Sequence, residues 1–179
     1  MIRKATVNDI NAIAELYDIM LDHEENSVKL TSWKKGIYPT ADTAMSGVMS
    51  RSAYLYEDEK RGILIASVIL DNNQPPEYQQ INWGVDASCE QVLVIHTLCV
   101  HPSYAGVGIG SDMVNLAKSV ALEKNCIAIR LNTTARNVSA QHLYEKSGFT
   151  VVAKQPIMLN GNIACGDHLF MEYLIKKTP

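Results

Sequence analysis

The stretch "VIHTLCVHPSYAGVGIGSDMV", residues 94–114, passes from a run of apolar residues through three glycines into an amphipathic pattern. A strand that empties into glycines at the start of a helix is a common way to hold a phosphate group. The first turn of a helix has backbone N–H groups with no intrahelical partner, and it carries the positive end of the helix dipole. Gly106, Gly108 and Gly110 let the backbone take tight, partly positive-φ geometry and let an oxygen approach with no Cβ in the way. Which phosphate compound such a turn would hold decides how the whole chain is read.

Two familiar patterns fail. A P-loop needs Lys and then Ser or Thr after its last glycine, but Gly110 is followed by Ser111 and Asp112. A dinucleotide fingerprint needs glycine or alanine where "GVGIGS" has Ser111. It also needs an acidic residue at the end of the next strand, where "AIRLN" ends in Asn132.

The chain around this turn has 179 residues, which predicts one domain over 1–179 at about 150 residues per domain. Hydrophobic residues are 47% and charged residues 20%, an ordinary globular balance, and the net charge of −3 offers no basic track for nucleic acid. The N-terminal "MIRKATVNDI" lacks the apolar core of a secretory signal, and the longest apolar run, "GILIASVIL", is too short to cross a bilayer. A soluble, cytoplasmic protein with no membrane partner is the expectation. Cys89, Cys99, Cys126 and Cys165 are irregularly spaced, with no C-x-x-C pair, and the histidines form no H-x-x-x-H pair. Reduced thiols and no metal follow.

The spacing predicts a short strand at 2–5, and Thr6 with Asp9 opens a helix by a capping box. Ile10, Ile13, Ala14, Tyr17, Met20 and Leu21 form its core stripe. "TSWKKGIYP" breaks the pattern, and Thr40 caps a second helix that runs to about Met49. "SAYLYE" and "GILIASVIL" read as a hairpin around "DEKRG", and the polar insertion 71–84 reads as a loop with one helical turn. A strand over 89–101 leads to the glycine turn and a helix that buries Ile109, Met113, Leu116, Ala117 and Val120. A strand over 126–132 and a helix from Asn137 to Gly148 follow. "FTVVAKQ" and "DHLFMEYLI" are last, as strands flanking a long loop, "PIMLNGNIACG". The order β-α-α-β-β-β-α-β-α-β-β predicts an α+β domain with a mixed central sheet and helices on both faces.

Two stretches, "LCVHPSYAGVGIG" and "IRLNTTARNVSAQHLYEKSGF", resemble in order and separation the motifs of the GNAT superfamily, N-acetyltransferases that use acetyl-CoA. The family's diphosphate loop, Q/R-x-x-G-x-G/A, falls on Ala105, Gly106, Val107, Gly108, Ile109 and Gly110, with Ser111 next. Ala105 stands where the family usually carries Gln or Arg. The second signature falls on Asn137, Tyr144, Gly148 and Phe149. The resemblance implies a GNAT-like single domain with a splayed parallel strand pair. It also implies pantetheine bound along the main chain of Leu98, Cys99 and Val100, and a coenzyme site that includes Asn132, Asn137, Ala140 and Tyr144. No metal is implied.

The reaction so implied is direct attack of an amine on a thioester in a ternary complex. His96 shares a strand face with Leu98 and Val100 and has a side chain suited to accept a proton, so it is the candidate base. It also occupies the position of a proposed base in the similar arylalkylamine N-acetyltransferases; a half-buried structural histidine is the alternative. By resemblance, Tyr144 protonates the departing thiolate. The segment between the first two helices walls the acceptor site in this family, which points to Trp33 and Tyr38 as flat binding surfaces, although Trp33 reads equally as a lid on the core. Asp22, Glu24 and Glu25 could draw in a cationic amine or simply be a solvated helix end. The acceptor would be a small molecule or an exposed amino group. The family's late strands often pair between subunits, so a homodimer is compatible with the resemblance. A non-catalytic acyl-CoA-binding sensor or structural module on the same fold is the alternative, with Ala105 in its favour.

Overall fold

Thr6 and Asp9 close the cap that their spacing predicts: the Thr6 amide and hydroxyl donate to Asp9 Oδ2 at 2.7 and 2.8 Å. They cap a 3-10 turn, Val7–Asp9, and the α-helix follows at once. The computed structural model describes residues 1–159 and 163–176. Its elements are β1 (Ile2–Lys4), α1 (Ile10–Glu25), α2 (Ala41–Met49), β2 (Ala53–Asp58), β3 (Ile63–Asp71), β4 (Val92–Val100) and α3 (Ile109–Glu123). They continue with β5 (Ala128–Thr134), α4 (Val138–Lys146), β6 (Thr150–Leu159) and β7 (Ile163–Leu174). This is the expected order. The strands form one mixed sheet in the order β1-β2-β3-β4-β5-β7-β6, with β4 and β5 parallel.

The chain divides into two compact units, residues 1–29, 33–70 and 96–113 in one, and 30–32, 71–95 and 114 onward in the other. In the first, α1 and α2 place Ile13, Leu16, Tyr17, Ala44 and Val48 against Ala53, Leu55 and Ile69 of the β2–β3 hairpin and Cys99 of β4. Arg3 on β1 ties this unit to its own chain start. Its guanidinium donates to both Asp9 oxygens at 2.8 Å and also to Glu57.

In the second unit the parallel ladder pairs Val92–Val94 with Ala128–Arg130, three rungs from a nine-residue and a seven-residue strand. Arg130, on the last rung, is buried with its partner Glu172 at 3.0 Å. The guanidinium also donates to Gln74 Oε1 at 2.9 Å and the Val85 carbonyl at 2.8 Å, and it lies 4.4 Å from the Trp83 ring. The other Glu172 oxygen accepts from Gly84 N at 2.8 Å, where an added Cβ would sit 2.6 Å from it. The polar insertion is therefore held by charge. Its single 3-10 turn, Pro76–Gln80, presents Tyr78 to a core of Ile81, Val92, Val94 and Phe170.

Three boundaries differ from the sequence reading. Residues 89–91 form a 3-10 turn capped by Ser88, so β4 begins at Val92 and ends before His101. Asn125 ends α3 in a left-handed conformation, φ +56, which delays β5 until Ala128; seven pairings with β7 then carry it to Thr134. The expected loop "PIMLNGNIACG" is largely strand: β6 runs to Leu159 and β7 starts at Ile163, while 160–162 lie outside the described residues. Cross-strand hydrogen bonding outweighs the local turn propensity of Pro156 there, at the cost of a register irregularity between Pro156 and Met158.

The Arg3 fork holds the Asp9 carboxyl well below the usual carboxylate range against partial desolvation, with the Thr6 cap reinforcing it. Because the folded value is depressed, this stabilisation is complete above the unfolded value near 3.9 and is lost as pH falls towards the folded value. Asp9→Asn should therefore cost about 1 kcal/mol at pH 7, with the gap from wild type shrinking in urea melts below about pH 4. Glu172→Ala, which leaves a buried guanidinium unpaired, should cost about 3–5 kcal/mol in the same melts, more than Arg130→Met and Glu172→Leu together.

Candidate active site

In the first unit, the outer half of β4 alternates. His96, Leu98 and Val100 are half-buried, and Thr97 and Cys99 are buried. His96, Leu98 and Val100 are thus the accessible members of this half-strand, with the left-handed Thr97 interrupting the pleat between the first two. Cys99 Sγ lies 3.9 Å from the Leu16 carbonyl, and burial pushes its thiol up to about 12, leaving an inert core side chain whose main chain alone could meet a ligand. Thr97 has φ +43, an uncommon backbone for a β-branched residue.

Past β4 the chain makes a 3-10 turn, Pro102–Tyr104, with His101 Nδ1 accepting from Ser103 N at 3.2 Å. Gly106 and Gly108 then take φ +78 and +98. A Cβ at either would meet nothing within 4 Å, so backbone conformation, and not room, is what demands glycine. Asp112 N donates to Gly108 O at 3.1 Å, so the amides of Ile109, Gly110 and Ser111 precede the first intrahelical bond. The chain thus turns into a helix where the sequence predicts it, with one change: Gly110 lies inside α3 with helical backbone. Ala105 and Val107 are exposed and Ile109 is buried. Asp112 adds a carboxylate to the same turn, a charge opposed to an anionic ligand.

Trp33 packs on the core of this unit, and its ring meets Tyr38 edge-on at 6.2 Å. The turn between them is closed by paired backbone bonds of Lys34 and Tyr38 at 2.9 and 3.0 Å, around Gly36 at φ +74. Packing thus accounts for Trp33 as a lid on the core. Lys35 pairs with Asp22, so an internal cation occupies one of the carboxylates read as a lure for an amine.

In the second unit, Asn132 on β5 donates to the Tyr78 hydroxyl at 3.3 Å. Asn137 caps α4, its Oδ1 accepting from Ala140 N at 3.1 Å. Both residues therefore have structural partners. Tyr144 is buried on α4, with its ring 5.6 Å from Phe149, and burial raises its phenol well above the usual tyrosine range. It keeps its proton at neutral pH, and the same burial makes it a weaker acid than an exposed phenol. Gly148 ends α4 at φ +88, and a Cβ there would lie 3.3 Å from the Tyr173 ring.

His168, which the sequence does not single out, is buried on β7. Its Nδ1 lies 3.1 Å from the Gly166 carbonyl and its Nε2 lies 3.2 Å from Ser32 Oγ. A carbonyl only accepts, so Nδ1 carries the proton and Nε2 takes the serine hydroxyl. Burial lowers its pKa. The one signal in sequence was a polar residue at an inward position of a strand. Tyr17 and Ser67 were missed as polar groups for the same reason: each sits within an apolar pattern. Among the described residues no group of histidine, cysteine or carboxylate side chains could hold a metal ion, and no helix is long and apolar enough to cross a membrane.

Residues 14–149 match the model of the acetyltransferase (GNAT) family. Streptothricin acetyltransferase of Escherichia coli is 38% identical over 69 residues, a stretch that is 38% of this chain and 36% of that protein. Solved structures share the fold over nearly their full lengths. A GNAT-family acetyltransferase from Streptococcus agalactiae superposes with a TM-score of 0.79 at 20% identity, covering 99% of this chain and 96% of that one. An acetyltransferase from Salmonella typhimurium, solved with its cofactor acetyl-CoA, gives 0.71 at 18% identity, covering 100% and 95%.

If conformation alone demands glycine at 106, Gly106→Ala should cost about 1–2 kcal/mol and Gly106→Asn clearly less, since Asn tolerates left-handed backbone. Chemical denaturation of the two variants checks this; equal losses would point to a steric cause.

Proposed function

Because the chain belongs to the acetyltransferase (GNAT) family, we propose that it transfers the acetyl group of acetyl-CoA to the nitrogen of an amine by direct attack. The observation that carries this reading is the glycine turn opening α3, which leaves three helix-start amides ahead of the first intrahelical bond. Backbone donors at a helix start hold a diphosphate without a lysine. The open space around Gly106 and Gly108 admits such a group.

Acetyl-CoA supplies the acyl group as a thioester, so the new C–N bond forms as the C–S bond breaks. The main chain of Leu98 to Val100 serves the pantetheine amides in the manner of an added strand. A strand amide near Leu98 polarises the thioester carbonyl. Two protons then need places. An alkylammonium of pKa about 10.4 is deprotonated at pH 7 at a cost of roughly 4–5 kcal/mol, which favours a base; an α-amino group near 8 needs little help. His96, half-buried like Leu98 and Val100 on β4, takes that proton. Tyr144, held as a phenol by burial, gives its proton to the departing thiolate and regains one from the nitrogen as the amide forms. The likeness to streptothricin acetyltransferase supports a small-molecule amine as acceptor.

A second reading, a non-catalytic acyl-CoA sensor, is favoured by Ala105 and by the carboxylate of Asp112 in the first turn of α3, both of which weaken the hold on a diphosphate.

Thiol release from acetyl-CoA across a panel of amines separates the two. An amine-dependent rate is expected, with Tyr144→Phe at least about tenfold slower at little change in acetyl-CoA affinity. Binding of acetyl-CoA with no release for any amine would favour the sensor, and no binding at millimolar ligand would refute both.

A further inference from the structure

Three hydroxyls in the first unit break the rule that buried polar groups are bonded. Tyr17 of α1, Ser67 of β3 and Thr97 of β4 are 1%, 2% and 6% exposed, and none of their hydroxyls makes a direct hydrogen bond of proper geometry. They are nevertheless neighbours: the Thr97 and Ser67 hydroxyls lie close enough to the Tyr17 phenol to oppose the rise that burial imposes on it, to about 12.

Each unbonded buried hydroxyl costs about 1–3 kcal/mol, and phenylalanine, alanine and valine would fill the same spaces without that penalty. Thr97 adds a second cost, since a β-branched residue at φ +43 is strained. Two independent penalties at one point of one strand mark a place where stability is set against something else. That point lies between His96 and Leu98, the two β4 residues to which the acyl-transfer reading gives chemistry.

We infer that Tyr17, Ser67 and Thr97 form a positioning cluster that holds the left-handed turn of β4 at Thr97, and so sets the direction of the His96 side chain and the Leu98 amide. A hydroxyl both donates and accepts, so small rotations close the three into a mutually bonded chain when β4 meets its ligand. None of the three touches the reacting atoms; they act through His96 and Leu98. The inference rests on the acyl-transfer reading for its catalytic consequence, but the geometry it asserts can be tested apart from turnover.

The variants are Tyr17→Phe, Thr97→Val and Thr97→Ser, studied in the full chain. Removing an unbonded hydroxyl should leave the urea midpoint unchanged or raised. In Tyr17→Phe and Thr97→Val, kcat should fall at least about fivefold with KM for acetyl-CoA within about twofold, and Thr97→Ser should restore it. With acetyl-CoA bound, and independently of turnover, the His96 imidazole resonance should move in Tyr17→Phe and Thr97→Val while those of His23 and His142 stay. An unmoved His96 signal overturns the inference even if the wild type is an active enzyme. A kcat loss that only tracks a loss of stability, with no rescue by serine, overturns it in favour of simple packing. If the wild type releases no thiol with any amine, the acyl-transfer reading falls, and the His96 signal still decides whether the cluster positions β4.

Discussion

A guanidinium buried at the end of the parallel ladder must be answered on every side, and Arg130 is so answered. A buried charge with a missing partner is among the costlier defects a fold can carry. Arg130 sits on the last rung, opposite Val94, and its donors are met by Glu172, Gln74 and the Val85 carbonyl while its face meets Trp83. Gln74 and Trp83 lie in a stretch of Pro, Asn and Gln with no strand or helix periodicity of its own, and Val85 directly follows it. That stretch has a fixed course because the charge gives it one. Once it is fixed, Tyr78 is delivered to the core and its hydroxyl to Asn132.

The chemistry proposed for the protein is built from groups of low individual specificity. Helix-start amides, strand amides and one buried phenol are present in most α/β proteins. What distinguishes this chain is what its backbone does near them: two positive-φ glycines ahead of α3 and one left-handed threonine within β4. Each is a place where an ordinary conformation would be cheaper. Asn137 illustrates a different case, a residue of the family signature whose side chain also caps a helix, at the Ala140 amide.

Much of this was legible in the residues themselves. Capping by Thr6 and Thr40, the helix beginning at Asn137, the glycine turn before α3, and the order of elements follow from local rules. They depend on a few neighbouring atoms and on period 2 or 3.6. What failed was non-local. The loop read into "PIMLNGNIACG" became strand because β6 and β7 supply each other's hydrogen bonds. That Trp33 packs on the core, one of its two readings, likewise depends on residues distant in sequence.

By itself, then, the amino-acid sequence determined which elements form, in what order, and which glycine turn opens a helix, because those outcomes rest on periodicity, caps and glycine conformations within a few residues. Only the tertiary structure decided that Arg130 would be paired, that His168 would be a buried acceptor for Ser32, and that Tyr17, Ser67 and Thr97 would meet unbonded beneath β4. Each of these brings together residues distant in sequence, where burial and partnership, and not local propensity, set the energy of a polar group.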